Sequence, residues 1–414
     1  MVEVLESSFV VPSEPTATET LRLSNIDQVA RPVHIGFVYF YQGNQAKDFF
    51  SVETLKASLS KTLVLLYPLA GRCVVGQDGR KEINCNAEGC LFVAGRSDLT
   101  SDEINFEPSS ELQKLFLPSA DFPESLSQLV MIQTWAAVAR GDMANIIPPS
   151  FDRNLLRGRS PPRVTFNYPE YTTDPVPAAA PKCCLTAKFT LSRKQIQSLR
   201  SRQSGGSIRI SSFSTIAALV WKCYCISKGL APSTQTRLIF VADVRRRLCP
   251  PLPKTYIGNV VVRTSAVSEI STITSKPVHV VAEIVQSAVD GITDEFVRSF
   301  IDYLELMKGK TLHSTLGLTE SNLRISSISG LPIYEANLGW GAPQKASGAF
   351  APGNNNVYVL DEPGRNAGLL MYITLDATIM PLFEKAFYEE LVLVDTENNG
   401  SFSLESAGTC IPVS

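Results

Sequence analysis

The chain has 414 residues and a mass of 45.2 kDa, more than a single hydrophobic core usually supports, so two domains are expected. Hydrophobic residues make up 44% of it and charged residues 19%, which excludes a disordered chain. With 38 Lys+Arg against 40 Asp+Glu the net charge is −2, which argues against nucleic acid or an anionic membrane as a partner.

Along the chain, the opening MVEVLESSFVVPSEP carries Glu3 and Glu6, and the first basic residue is Arg22. A secretory signal has the opposite arrangement. The longest wholly apolar stretches, such as 63–66 and 216–221, are too short to cross a bilayer. A cytoplasmic protein is therefore expected. Residues 34–41 (HIGFVYFY) read as a buried strand. Residues 51–66 place Val52, Leu55, Leu59, Leu63 and Leu66 on one helix face, with Ser51 as N-cap and Pro68 closing the segment. Residues 72–75 and 81–84 flank Gln77-Asp78-Gly79 and predict a hairpin. Residues 129–133 (LVMIQ) read as a short apolar strand. They run straight into 134–141, which read as a helix ending at Gly141. No turn-forming residue lies between Val130 and Val138, an unusual strand-to-helix junction.

From 161 to 181 the chain carries six prolines and three consecutive alanines, the composition of a linker or long crossover. The expected division is an N-terminal domain over 1–165, a crossover over 166–184 and a C-terminal domain over 185–414. In the second half, 185–190, 237–241 and 369–375 read as strands. Helices are expected after Ser192 and over 214–227, 277–289, 294–307 and 381–391, with Ile216, Leu219, Val220 and Cys223 on one side of the second. Nine cysteines include the neighbours Cys183 and Cys184 and the pair Cys223 and Cys225, but no CxxC. Free thiols, and no metal site, are expected.

Five segments, in order, resemble the BAHD family of acyl-CoA-dependent acyltransferases. They are Pro12-Ser13-Glu14-Pro15-Thr16 with Leu23-Ser24 and Asp27-Gln28; Tyr67-Pro68-Leu69-Ala70-Gly71-Arg72; and Asn84-Cys85-Asn86-Ala87-Glu88-Gly89. The fourth is Ala242-Asp243-Val244-Arg245 through Pro250-Pro251-Leu252-Pro253 and Tyr256-Ile257-Gly258-Asn259. The fifth, Leu331 to Gly341, is similar to the family's DFGWG signature, with Asn337 and Leu338 replacing its Asp and Phe and with Gly339, Trp340 and Gly341 kept. The nearest look is towards members that move hydroxycinnamoyl groups to alcohols or amines.

The resemblance implies an α/β fold of two chloramphenicol-acetyltransferase-like domains with mixed sheets, and a channel along their interface. It implies acyl-CoA as co-substrate, no bound cofactor or metal, a small alcohol or amine acceptor, and a monomer. The family's general base is the His of an HxxxD motif in the N-terminal domain, suited to the task by a pKa near neutrality. Here His34, His279 and His313 are the three histidines, and none begins HxxxD. The resemblance therefore implies that an internal segment is missing, expected at 133/134, and that the N-terminal domain lacks the HxxxD strand and loop. No catalytic residue is identifiable.

His279 and Glu283 stand one helical turn apart, the spacing of a surface pair. By resemblance, Ser212-Phe213-Ser214-Thr215 and Ser327-Ile328-Ser329-Gly330 are candidates for acyl-CoA contact, although N-capping explains the hydroxyls of the first equally well. Asp243, Arg245 and Arg246 are further candidates, since guanidinium suits phosphate. Arg245 is also the implied partner of the missing motif's Asp; without that Asp a buried Arg245 would hold an unpaired charge, and a solvated basic turn is an equal reading of the three arginines. Asn337 is expected to keep the hydrogen-bonding shape of its Asp counterpart but lose the charge, so that an arginine partner forfeits a charge-assisted bond. The functional expectation is a BAHD-type acyltransferase impaired by loss of its base. The alternative is a dead pseudoenzyme that keeps acyl-CoA or a partner bound.

Overall fold

The computed structural model describes residues 2–29, 36–43, 49–100, 103–116, 128–173, 183–201, 209–310, 312–314, 319–349, 353–364, 368–396 and 411–413. In the N-terminal half, β1 (Val2–Val10) pairs antiparallel with β6 (Cys90–Ser97), Val10 opposite Cys90. The strands β2 (Leu21–Arg22), β5 (Lys81–Asn84) and β4 (Arg72–Val75) form a three-stranded antiparallel sheet. The β4–β5 hairpin turns where expected, with Gly79 at φ +76°, a conformation glycine adopts freely. Short α1 (Asn25–Gln28) starts at a capping box between Ser24 and Asp27. Helix α2 (Val52–Leu65) starts at Ser51, whose Oγ accepts from the Thr54 amide, and it buries Leu55, Leu59 and Leu63 as the periodicity requires. Strand β3 (Gly36–Phe40) matches the expected 34–41 strand in part; His34 lies outside the described residues.

The expected strand at 129–133 is not there. Helix α4 (Gln128–Ala139), which follows α3 (Ser110–Phe116), runs without a break through Gln133 and Thr134. The absence of any turn former between Val130 and Val138 has a simple cause: both sides belong to one helix. A short apolar run carries no period of its own, and its neighbours decide its conformation. Met131 and Trp135, one turn apart, pack against the cluster that holds Leu59 and Leu63 of α2, and the Trp135 indole donates to the Ser58 hydroxyl at 2.9 Å. Gly141, at φ +75°, ends the helix as expected.

The second half is built on a seven-stranded mixed sheet. Its members are β8 (Cys184–Leu191), β9 (Gln235–Asp243), β10 (Val261–Glu269), β12 (Asn322–Ser327), β14 (Asn356–Asp361), β15 (Leu369–Asp376) and β16 (Ile411–Val413). They lie in the order β10-β9-β12-β14-β15-β8-β16, with β12 parallel to β9 and β14 and the other pairs antiparallel. Helix α6 (Ser212–Lys228) packs against α5 (Arg193–Ser201), α7 (Ile270–Ser275), α8 (Val278–Asp290) and α10 (Met380–Thr396) as well as β9 and β12. The one-sided burial expected for it is therefore wrong. Thirteen consecutive or near-consecutive positions are buried, Lys222 among them, because a helix covered on all sides is the core. Lys222 meets Glu390 of α10 at 2.6 Å.

The crossover region is tied down at its start. Arg159 and the amide of Arg163 bind the buried Asp302 of α9 (Asp294–Leu306), and the Tyr168 hydroxyl donates to the Phe296 carbonyl. Further on, β7 (Tyr171–Thr172) pairs with β11 (His313–Ser314). One strand crosses in the other direction: β13 (Lys345–Ala349) leaves the second half to pair antiparallel with β3, Lys345 opposite Phe40.

Candidate ligand edge and inter-half seam

The parallel strands β9, β12 and β14 all end at the same edge of the large sheet. In open α/β sheets such carboxyl ends are where ligands bind. Asp243 ends β9, Ser327 ends β12 and Asp361 ends β14. The start of α6 reaches the same edge, since Phe213 packs on Phe240 with ring centroids 5.5 Å apart. The three stretches considered for acyl-CoA contact, 212–215, 243–246 and 327–330, therefore meet at one edge.

Their side chains differ in what they have left to offer. Ser214 and Thr215 are fully buried and used internally: Ser214 donates to Gln286 at 2.9 Å, and Thr215 to the Ser211 carbonyl at 3.1 Å. Ser211, one residue earlier than the expected segment, is the N-cap. Ser212 is half-buried beside Arg200, whose guanidinium reaches its hydroxyl at 3.4 Å and the Ile210 carbonyl at 3.5 Å. Arg200 was not legible as a site residue, because it comes from α5 across a loop. Ser329 and the Gly330 amide both bind Asp361, at 2.5 and 2.7 Å, and Gly330 takes φ +79°, so the 327–330 turn is clamped to the end of β14. Ile328 packs with Leu360, Leu370 and Tyr372.

Arg245 does not carry an unpaired charge. Its Nη1 lies 2.9 Å from Asp243, its Nη2 donates to the Gly258 carbonyl at 2.7 Å, and its own amide bonds Asp243. Its partner carboxylate thus stands two residues away in the chain. Arg246 beside it is exposed.

The Asn337 side chain is used within its own turn. Its side-chain oxygen accepts from the amides of Gly339 and Gly341 at 2.9 and 3.0 Å, closing a turn in which both glycines have φ above +100°. An amide does this as well as a carboxylate. The arginine that meets the turn, Arg140 at the end of α4, binds the Asn337 carbonyl rather than its side chain. Trp340 is 7% exposed, with Phe50 stacked on it at 4.7 Å and Phe49 and Tyr41 at 5.3 and 6.0 Å; the Tyr41 hydroxyl donates to the Ala336 carbonyl. Leu338 packs with Leu55 and Ala136. The turn therefore fastens the crossing chain to α2, α4 and the end of β3.

The other shared motifs meet in pairs. Asp27 is fully buried and accepts from the Asn259 amide at 2.6 Å and from Ser24, while Arg153 lies 3.1 Å away, 9% exposed, over the Tyr256 ring. Sequence reasoning missed this pairing, since its members are separated by more than a hundred residues. Arg72 binds Glu88 at 2.8 Å and the Gly89 carbonyl at 2.9 Å. A Cβ on Gly71 would sit 2.4 Å from the Asn84 carbonyl oxygen, so that glycine marks a close backbone approach.

Among the histidines, His279 sits half-buried on α8, which packs against α5, α6 and β10. His313 contributes its backbone to β11, and its side chain lies outside the described residues. Among the described residues no helix is long and apolar enough to cross a membrane.

A mixed-sheet half joined to a smaller half by an exchanged strand is the fold of a two-domain transferase. It superposes on vinorine synthase with a TM-score of 0.70 at 21% identity, covering 92% of this chain and 96% of that one. The family model described as Transferase family matches residues 1–125 and 122–390. Putrescine hydroxycinnamoyltransferase 1 of Oryza sativa subsp. japonica is 36% identical over 445 positions, which take in 94% of this chain and 99% of the relative. Shikimate O-hydroxycinnamoyltransferase of Nicotiana tabacum is 33% identical over 435 positions, with the same coverage. The chain belongs to this Transferase family, the BAHD acyl-CoA-dependent acyltransferases.

Proposed function

We propose that this chain binds a hydroxycinnamoyl-CoA or related thioester at the carboxyl edge of β9, β12 and β14, and that acyl transfer in it is impaired. The relatives' names support the donor class, and those names supply an amine, putrescine, and an alcohol, shikimate, as acceptor types. At the edge, Ser212 with Arg200 offers hydrogen bonds and positive charge at the start of a 17-residue helix, a setting that suits phosphate. The clamped 327–330 turn offers backbone for a pantetheine arm.

The reaction needs the acceptor's nitrogen or oxygen to attack the thioester carbonyl, lose a proton to a base, and release the CoA thiolate. The observation that carries the impaired reading is the absence of HxxxD among three histidines. The match to the family is interrupted at 122–125, and the alignments are longer than the stretch of this chain they take in. We place the missing segment there, N-terminal to α4, and not at 133/134, where the helix is continuous. The base would then have stood just ahead of the α4 N-terminus.

A general base contributes about 10²–10⁴ in rate. Titration with p-coumaroyl-CoA is expected to show saturable binding, while turnover with putrescine or shikimate falls at least about 100-fold below an intact relative. Turnover equal to that relative would refute impairment, and no binding would refute the ligand edge. Binding with no turnover at all would select the pseudoenzyme over the slow enzyme.

A further inference from the structure

The face of the large sheet turned away from its helices carries a row of polar groups that the acyl-CoA edge does not use. Strand pairing sets Tyr358 of β14 opposite Tyr372 of β15, and Tyr372 opposite Lys188 of β8. Two residues nearer the carboxyl edge, Leu360 stands opposite Leu370, and both join Ile328 and the two tyrosines in one cluster. Tyr372 is 5% exposed, yet its hydroxyl makes no hydrogen bond to a described residue. Native structures seldom leave such a group without a partner, because its lost hydration is costly.

Carboxylates stand at both ends of this cluster. At the inner end, the half-buried Glu107 bears on the Tyr372 hydroxyl. Its neighbour Phe106 packs on Phe40 of β3 at 4.8 Å, with the Lys345 ammonium over the same ring. Glu107 forms no ion pair among the described residues; Lys188, whose charge acts on it, is exposed, and burial holds the Glu107 carboxyl above its usual range. At the outer end, Asp361 closes β14 and Glu362 follows it, and both bear on Tyr334, which in turn bears on Tyr372. Asp361 is held by Ser329 and the Gly330 amide, and Glu362 by the Gly368 amide, but these neutral partners leave the two charges uncancelled. Arg324 of β12 bears on Tyr358 from the side.

The Tyr358–Tyr372 row lies three residues from Asp361 along the sheet, about 10 Å at the rise of a strand. Negative charge at both ends of a short aromatic and aliphatic surface is the complement of a linear aliphatic diamine. Its ammonium groups suit carboxylates and tyrosine rings, and its methylenes suit leucine side chains. An acceptor that carries a carboxylate, as shikimate does, would meet like charge at either end.

We infer that the acceptor seat of this chain takes a linear aliphatic diamine, anchored at Glu107 and Tyr372 with its second nitrogen directed to the carboxyl edge of the sheet. The inference rests on the acyl-CoA reading above for where the thioester lies, and it decides between the amine and alcohol classes of acceptor.

Calorimetric titration of the whole chain with putrescine, alone and with saturating p-coumaroyl-CoA, at an ionic strength of about 0.05 M to limit screening, tests this. One saturable site is expected, with affinity roughly ten-fold lower in Glu107→Gln, which loses a bond to a charged group, and about three-fold lower in Tyr372→Phe, which loses a neutral one. Both variants should keep the parent's circular dichroism and its affinity for p-coumaroyl-CoA. n-Butylamine, with one ammonium, should bind about ten-fold more weakly than putrescine, and shikimate more weakly still. No putrescine binding by the folded parent, unchanged affinity in Glu107→Gln, or shikimate binding as tight as putrescine would overturn the inference. Butylamine binding as tight as putrescine would overturn the two-ended anchoring. Absence of p-coumaroyl-CoA binding would count against the ligand edge instead, and the putrescine titration without donor would still judge the diamine seat.

Discussion

At the residue scale, burial sets which side chains react. Burial pushes the Cys90 thiol up to about 11 against the opposing pull of Arg72, and burial likewise pushes Cys225 to about 12 and raises Cys223. The thiolate is the nucleophile, so these three stay protonated and inert at pH 8. Cys183 and Cys249 are exposed. Mass-spectrometric mapping after brief alkylation at pH 8 should find label on Cys183 and Cys249 and none on Cys90, Cys223 or Cys225; early label on Cys90 would contradict this burial. Asp27 and Arg153 form a buried ion pair. Removing one partner of such a pair leaves an uncompensated charge and costs about 3–5 kcal/mol. Asp27→Ala should therefore move the urea midpoint sharply downward, and an unchanged midpoint would show that the pair and the bonds to Asn259 and Ser24 add nothing to stability. The Arg159 guanidinium holds the Glu295 carboxyl below its usual range. Its contribution is thus present above the ordinary carboxylate pKa and lost as pH falls through the lowered one. In Arg159→Met, unfolding midpoints should fall at pH 7 and converge on the parent's at acid pH.

At the element scale, α4 shows where periodicity runs out. Five apolar or neutral residues, LVMIQ, fit a strand as well as a helix turn, and only the packing of Met131 and Trp135 on α2 decides between them. Gln133→Pro distinguishes the two. Inside a helix it removes a hydrogen bond and clashes, costing about 3 kcal/mol or more, whereas at a strand-to-helix junction it would be tolerated. A clear loss of stability in denaturant titration is expected. By contrast α2, the β4–β5 hairpin, α8 and α9 carried their own signals: a serine cap, an Asp-Gly turn, and apolar spacing of three and four. The turn at Asn337 is intermediate. Its glycines announced a tight bend, but the two amides that Asn337 caps, and Arg140 as its neighbour, needed coordinates.

At the scale of the molecule, apolar burial is unevenly shared. One continuous cluster, from Phe189 through Trp221 and Phe240 to Phe387, fills the space between the seven-stranded sheet and its helices. Among the described residues the N-terminal half has small clusters around Leu63 and Ile83, and a third around Trp340 joins it to the second half. Regions with few buried contacts open at lower free energy. Hydrogen exchange should therefore be slowest in α6, β8 and β15 and faster in the β1–β6 and β3–β13 ribbons. Equal protection in both halves would mean that the exchanged strand β13 couples them into one cooperative unit.

The sequence by itself determined the family, the caps and hairpins, and the absence of an HxxxD motif, because each rests on residue identity or on spacings within a few turns of chain. Tertiary structure decided the conformation of LVMIQ, the contact of Arg245 with the Gly258 carbonyl, and the meeting of Asp27, Arg153 and Asn259. Those outcomes depend on groups far apart in the chain competing for the same contacts, and no local pattern records which of them wins.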